Sequence, residues 1–217
     1  MGMRQIGSKK SLSEQAYEVL KEAIITGELR PGQILIEEQL ASQLVISRTP
    51  VRSAVRRLEA DNLVEITPSK NIVVASISEK EIQDASQARQ LVEVEAVGML
   101  AETITEEQCG ELEAIIQKQK DAMTRKEYLE FMEYEYQFHV KIGEFCGNIW
   151  YGKMLESISL LQRRVLILTW HLEKDWDYVI DEHTQILDAL RSHDKEKSRK
   201  AMQFHIINTP MELKNQK

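Results

Sequence analysis

The fold is decided by the stretch Ile46-Ser47-Arg48-Thr49-Pro50-Val51-Arg52, which carries the capping and apolar signals of a short helix. Ser47 is a favourable N-cap residue, and Pro50 falls in the first turn, where a missing N–H costs nothing. Val51, Val55 and Leu58 recur at helical spacing and predict that one face of this helix is buried. The pattern predicts a helix that packs on a core and leaves its other face free.

Arginines take that other face, since Arg48, Arg52 and Arg56 follow one another at helical spacing. Guanidinium groups in this arrangement suit phosphate clamping and bidentate contact with guanine edges. An arginine stripe alone is more often a solvated surface than a binding site. The neighbouring segments decide between these interpretations, and they favour a helix that reads DNA.

Two further helices are predicted before the arginine helix. Apolar residues recur at helical spacing from Ala16 to Ile24, and this helix is expected to end near Gly27. The second is short, runs from about Glu37 to Leu44 and connects tightly into the arginine helix. The order of helix, turn and recognition helix is typical of a DNA-binding unit.

Two short strands, residues 63–67 and 72–75, are predicted after the arginine helix, around a polar loop. This hairpin completes a winged helix-turn-helix domain over residues 11–76, in which the loop is the wing. The candidate DNA contacts lie on the arginine helix and the wing: Ser47, Arg48, Thr49, Arg52, Arg56, Lys70 and Asn71.

The run from Leu12 to Ala75 resembles the N-terminal domain of GntR-family bacterial transcription regulators. The resemblance is carried by Pro31-Gly32, Leu40-Ala41, Ser47-Arg48-Thr49-Pro50-Val51-Arg52 and Leu58-Glu59-Ala60-Asp61-Asn62-Leu63-Val64. The family usually has glycine where Val45 stands in the turn and where Asn71 stands in the wing. Asparagine tolerates the left-handed backbone region, whereas a β-branched Val45 would be strained there. The resemblance implies binding to double-stranded operator DNA.

Composition is ordinary for a soluble globular protein, with 217 residues of which 42% are hydrophobic and 29% charged. No apolar stretch is long enough to cross a bilayer, so we expect no membrane partner. Residues 1–10 lack the apolar core of a signal peptide, and we expect a flexible tail there. Cys109 and Cys146 are isolated in the sequence, which favours a reducing cytoplasm.

The net charge of −7 is divided unevenly along the chain. Residues 1–76 hold ten Lys and Arg against nine Asp and Glu, whereas residues 77–217 hold eighteen against twenty-six. The acidity thus belongs to the second half. From Gln43 to Arg57 there are four arginines and no acidic residue, which predicts a local positive patch on an acidic protein.

Residues 77–217 show only helical periodicity, which predicts an all-helical bundle and makes the chain mainly α. The expected helices span residues 79–103, 106–124, 127–146, 149–171, 175–191 and 195–208. We expect this domain to hold the metal and effector sites and to form a homodimer.

Three histidines and one acid fall on the inner faces of these helices. Glu135 and His139 lie one turn apart in an apolar stripe, His183 aligns with apolar residues, and His205 follows Met202. A lone inward histidine is more often a hydrogen-bonded core residue than a ligand. Four such groups together instead favour a divalent metal site, with zinc first and nickel or manganese as alternatives.

The second half resembles the FCD ligand-binding domain of the FadR-like subgroup of the same family. The matching motifs are residues 135–139 with Asn148, residues 182–190 and residues 202–205. The resemblance implies a metal held by three histidines and an acid, usually aspartate where Glu135 stands. It also implies that Arg89 holds the carboxylate of an effector. From the residues alone, Arg89 and Glu93 would form an exposed ion pair of little energetic weight.

Together these features predict a homodimeric, ligand-responsive transcription regulator, with repression as the expected action and no enzymatic activity. Its affinity for operator DNA would be modulated by a small anionic metabolite, a carboxylate or sugar acid, held near a divalent metal. The alternative is a metalloenzyme that uses the same three histidines and Glu135 beside an accessory winged-helix domain. No further acid or base is evident beside the cluster in the sequence.

Overall fold

The computed structural model describes residues 10–169 and 176–209, and residues 1–9 of the expected tail lie outside them. The described residues divide into two compact units, with the boundary between Ser76 and Ile77. The first unit is a winged helix-turn-helix and the second is helical throughout its described part. The predicted fold class, mainly α with these two architectures, is confirmed.

The first unit combines three helices with a small antiparallel sheet. Its elements are α1 (Leu12–Ile25), β1 (Ile34–Leu35), α2 (Glu37–Gln43), α3 (Arg48–Ala60), β2 (Val64–Ile66) and β3 (Ile72–Val74). The sheet order is β1-β3-β2, with Leu35 opposite Ile72 and Glu65 opposite Val73. We predicted only β2 and β3, because a two-residue strand such as β1 is too short to show alternation.

Helices α1 and α3 meet through their apolar faces. The side chain of Ser11 accepts a hydrogen bond from the backbone N–H of Glu14 at 3.2 Å and so caps α1. On α3, Val51, Val55 and Leu58 are all buried, as their spacing predicts. This packing turns the arginine face of α3 toward solvent.

The turn and the wing hold two residues in the left-handed backbone region. Val45 has φ 55° in the connection between α2 and α3, and its side chain is largely exposed. In the wing the positive φ, 64°, falls on Lys70. Asn71, which stands where the family usually has glycine, does not adopt this conformation. Instead, the backbone N–H of Asn71 donates to Oγ1 of Thr67 at 3.1 Å and closes the loop.

The second unit is built from helices that pack against one another, and the connections between them within the described residues are short. Its described helices are α4 (Glu79–Ala101), α5 (Glu106–Arg125), α6 (Tyr128–Phe145), α7 (Ile149–Thr169), α8 (Asp177–Arg191) and α9 (Lys195–Asn208). Local sequence signals explain where they begin. Ser78 caps α4, a capping box between Thr105 and Gln108 opens α5, and Asp194 caps α9.

The core of the second unit is mainly apolar and includes one cluster of buried histidine and glutamate side chains. Helix α6 packs against α5 and α7, while α4 packs against α9. Phe131, Phe138 and Ile142 of α6 are fully buried and alternate with polar residues on the same face. No helix within residues 10–169 and 176–209 combines the length and apolar character that crossing a membrane requires.

Candidate functional site

Four side chains converge in the core of the second unit. Glu135 and His139 come from α6, His183 from α8 and His205 from α9, and all four are buried. One ligand atom from each lies within 4.8 Å of those of the others. We call these four residues the ligand cluster.

The Glu135 carboxylate faces all three imidazoles. Its Oε1 lies 3.2 Å from Nε2 of His139 and 3.6 Å from Nε2 of His205. Its Oε2 lies 3.2 Å from Nε2 of His183. The Nε2 atoms of His139 and His205 are themselves only 3.1 Å apart. The same ring nitrogen of each histidine therefore points into one small space.

Two of the imidazoles have a carboxylate behind them. Nδ1 of His139 lies 2.8 Å from Oε2 of Glu93, and Nδ1 of His205 lies 2.9 Å from Oε2 of Glu182. Because a carboxylate can only accept, the hydrogen bond to Glu182 assigns a proton to Nδ1 of His205, and the nearby carboxylate of Glu93 favours a proton on Nδ1 of His139. The lone pair of a neutral imidazole is then on Nε2, facing the ligand cluster, as metal-binding histidines require.

The third imidazole is oriented by an amide. The side-chain nitrogen of Gln119 donates to Oε2 of Glu135 at 3.2 Å, so its oxygen faces Nδ1 of His183 at 2.9 Å. The proton is thereby assigned to Nδ1 of His183. Its Nε2 is buried and makes no hydrogen bond within the described residues, although it lies 3.2 Å from a carboxylate oxygen. Two acceptors this close in a dry core fit a cation between them.

Burial and neighbouring charges shift the pKa values of the residues in the ligand cluster. Burial disfavours charge on His139, but the carboxylates of Glu93 and Glu135 outweigh it and raise its pKa to about 9. Burial dominates for His183 and holds its pKa well below the usual value. Burial also opposes ionisation of Glu135, yet the three imidazoles hold its pKa well below normal. In the metal-free protein a protonated His139 therefore balances the charge of the Glu135 carboxylate, and a metal ion would take the place of that proton.

Arg89 of α4 borders the ligand cluster. It donates from Nε to Oε1 of Glu93 at 2.8 Å and from Nη1 to the carbonyl of Thr209 at 3.1 Å. Its Nη2 lies 3.5 Å from Nε2 of His139 and 3.4 Å from Nε2 of His205. The ion pair between Arg89 and Glu93 forms, but both side chains are 1% exposed. The exposed ion pair considered from the sequence is therefore wrong.

The residues that orient the cluster were not assigned from the sequence. They are Glu93, Gln119, Glu182 and Gln162, whose Nε2 donates to Oε1 of Glu135 at 3.4 Å. A signal existed for Gln119, which interrupts the apolar stripe of α5 and is fully buried. No comparable signal marks Glu93 or Glu182, because acids on helices are usually exposed.

The candidate DNA contacts are placed on the surface of the first unit. All seven are exposed: Ser47, Arg48, Thr49, Arg52, Arg56, Lys70 and Asn71. Ser47 occupies the N-cap position of α3, but its side chain makes no capping hydrogen bond, contrary to its predicted capping role. The first N–H groups of α3 are therefore left without that side-chain acceptor.

An acidic residue joins the arginine face of α3 from α2. Oε1 and Oε2 of Glu37 lie 3.0 Å and 2.8 Å from Nε and Nη2 of Arg52. Nη2 of Arg48 lies 3.7 Å from the same carboxylate. The predicted positive patch, free of acids between Gln43 and Arg57, thus receives one negative charge from another helix. No local pattern in the sequence indicates this pairing.

Two protein families match the chain, one in each unit. Residues 12–74 match the gntR family of bacterial regulatory proteins, and residues 84–208 match the FCD domain. Over 204 residues the chain is 27% identical to the HTH-type transcriptional repressor RspR of Escherichia coli K12, covering 93% of this chain and 89% of RspR. Over 187 residues it is 26% identical to the gluconate operon transcriptional repressor of Bacillus subtilis 168, covering 83% and 75%.

A solved structure shares the fold of both units. The structure of Escherichia coli McbR/YncC superposes with a TM-score of 0.79 at 24% sequence identity. The match covers 91% of this chain and 94% of that one.

Proposed function

Because the chain belongs to the gntR family of bacterial regulatory proteins and carries an FCD domain, we propose that a small anion bound in its helical unit controls its binding to operator DNA. The protein is a DNA-binding transcription regulator, and relatives over most of its length are named repressors. The family and these relatives are regulators and not enzymes, so the metalloenzyme alternative is not retained.

The anion site would be completed by a divalent metal held by Glu135, His139, His183 and His205. The observation that carries this proposal is the convergence of three Nε2 atoms on one ionised carboxylate in a buried space. Three nitrogens and one oxygen are ligands that suit zinc, and nickel or manganese are the alternatives. When bound, the metal would balance the charge of Glu135 and offer an open position to an oxygen of the ligand.

Arg89 would supply the second positive group of the anion site. Its guanidinium is fully buried and lies within 3.5 Å of two histidines of the cluster. A guanidinium fork matches the geometry of a carboxylate, and a metal beside it adds a second attraction for negative charge. We therefore propose a small carboxylate or a sugar acid as the effector. Gluconate is included in the tests because one relative is named for the gluconate operon.

Control of DNA binding would pass through an equilibrium between two arrangements of a homodimer. A ligand shifts such an equilibrium only if it binds one arrangement more tightly than the other. We propose repression as the action, with the effector changing the affinity of the dimer for its operator.

Elemental analysis tests the metal site. We expect about one divalent ion per chain in wild-type protein, purified or reconstituted, because the ligands are oriented before binding. His139→Ala should lose the ion and unfold at a lower temperature, since metal binding contributes to folding stability. His193→Ala is the matched control, because the His193 side chain lies outside the ligand cluster and hydrogen-bonds to the backbone carbonyl of Ala101. Wild-type protein that takes up no divalent ion would contradict the proposal.

A further inference from the structure

Glu37 holds one edge of the Arg52 guanidinium. The contact uses both carboxylate oxygens, with Oε1 on Nε at 3.0 Å and Oε2 on Nη2 at 2.8 Å. Glu37 is the first residue of α2, and its side chain is only 17% exposed. The Glu37 carboxylate is thus held at the start of α2, and the Arg52 guanidinium packs along its two oxygens.

The opposite edge of the same guanidinium is free. Arginine has five N–H donors in a planar fork, and the Glu37 contact uses those of Nε and one of Nη2. In the described part of the chain, no atom accepts a hydrogen bond from Nη1 of Arg52. The Arg52 side chain is 55% exposed. The remaining Nη1 and Nη2 donors therefore form a fork that suits the two acceptors of guanine in the major groove.

The Glu37 carboxylate is ionised at neutral pH, because the hydrogen bond from Arg52 lowers its pKa despite partial burial. This negative charge lies beside both Arg48 and Arg52, the two arginines at the start of α3. It reduces the local positive potential that any phosphate backbone would meet. The arrangement therefore weakens contacts that carry no sequence information.

We propose that Glu37 is a positioning residue that sets the sequence specificity of the DNA-binding unit. It fixes the plane of the Arg52 guanidinium so that the free edge meets a base edge, and its charge opposes attachment to phosphates elsewhere. A sequence-specific contact gains from this preorganisation, whereas a non-specific contact only loses attraction. This inference depends on DNA binding by the first unit and is independent of any metal or effector.

Two duplexes test the proposal with the full-length protein. One is selected by wild-type protein from a random-sequence pool, and the other is a scrambled sequence of equal length and composition. Glu37→Gln should lower affinity for the selected duplex about three- to tenfold, since the bidentate contact loses its support. The same change should raise affinity for the scrambled duplex by about two- to threefold and steepen its salt dependence.

Glu38→Gln is the matched control, because it removes the same charge one residue away. Glu38 is exposed and makes no ion pair with any described residue. We expect it to change both affinities by the same factor, leaving their ratio as in wild type. If Glu37→Gln also leaves the ratio unchanged, Glu37 contributes only charge and the proposal is wrong.

A second measurement separates positioning of Arg52 from a direct effect of Glu37. In an Arg52→Ala background, Glu37→Gln should no longer lower affinity for the selected duplex, because the guanidinium it positions is gone. A loss of the same size in both backgrounds would overturn the proposal, since Glu37 would then act without Arg52.

Discussion

Nδ1 of His183 lies 2.9 Å from Oε1 of Gln119, and this contact joins α8 to α5 behind the ligand cluster. The orientation of the amide is set in turn by Glu135, which accepts a hydrogen bond from its nitrogen. A residue that binds no metal thus determines which nitrogen of His183 presents its lone pair. The cluster is therefore organised by residues behind it as well as by its own four side chains.

Gln119→Leu should weaken zinc binding about 10- to 100-fold, the usual cost of losing an orienting partner of a metal-bound histidine. Gln117→Leu is the matched control on the same helix, because Gln117 is exposed and donates only to Asp121 in the described residues. Competition with a chromophoric chelator measures both affinities. Equal zinc affinity in Gln119→Leu and Gln117→Leu would show that the amide does not orient His183.

Stabilisation by zinc should increase as pH rises from 6.5 to 9. The pKa of His139 is raised from 6.5 to about 9, so its proton stabilises the metal-free protein below pH 6.5. That contribution is lost as pH rises through about 9. A metal must displace this proton from Nε2, and it does so more easily at high pH.

Thermal unfolding with zinc and with chelator, at pH 6.5 and 8.5, measures this dependence. We expect the difference in melting temperature between the two conditions to be larger at pH 8.5. Groups away from the cluster titrate equally in both samples, so their effects cancel. A difference that does not change with pH would contradict a metal ligand at His139.

Arg52→Ala should weaken binding to the selected duplex by about 1–3 kcal/mol, the usual value of a bidentate base contact. Arg48→Ala should have a similar effect. Arg56→Ala and Lys70→Ala should lower affinity for every sequence and reduce the salt dependence, as phosphate contacts do. Arg125→Ala, an exposed arginine of the helical unit, is the control in gel-shift titrations. Wild-type affinity in a folded Arg52→Ala variant would remove the recognition-helix assignment.

Val45→Gly should stabilise the first unit by roughly 0.5–1 kcal/mol. Val45 has φ 55°, a backbone conformation that costs a β-branched residue about 1–2 kcal/mol. Glycine removes this cost, but part of the gain is lost because glycine has more conformational entropy in the unfolded chain. Val45→Ala keeps the Cβ atom, so it should stabilise the first unit less than Val45→Gly does. Urea unfolding of the three proteins gives the order, and a less stable Val45→Gly variant would contradict the strain.

The helices were predictable because their signals are local. Periodic apolar residues place the helix boundaries within a few residues of those observed. The inward positions of Glu135, His139, His183 and His205 were predictable for the same reason, since a polar residue in an apolar stripe must face the core.

Contacts between elements were not predictable in this way. The pairing of Glu37 with Arg52, and of Glu182 with His205, depends on how two helices pack. Such contacts do not appear as a periodic pattern in the sequence. The position of the left-handed residue in the wing is likewise set by a hydrogen bond, from Asn71 to Thr67. Sequence patterns identify which residues are unusual, and packing determines the residues they contact.

Arg89→Lys tests the proposed effector site with less effect on the fold than Arg89→Ala. Arg89→Ala would leave the buried carboxylate of Glu93 without its ion-pair partner, and such losses destabilise the fold strongly. Lysine keeps the charge but lacks the planar fork that binds a carboxylate at two points. The variant should retain zinc and effector-free DNA affinity.

The most direct test is the response of DNA affinity to small carboxylates and sugar acids, gluconate among them, in zinc-loaded wild type and Arg89→Lys. Coupling of about 1–3 kcal/mol between sites is typical, so an active compound should change wild-type affinity for the selected duplex roughly 5- to 150-fold. We expect Arg89→Lys to require much more of the same compound. If active compounds affect both proteins equally, Arg89 does not hold the effector, and control of DNA binding through an anion beside Arg89 is contradicted.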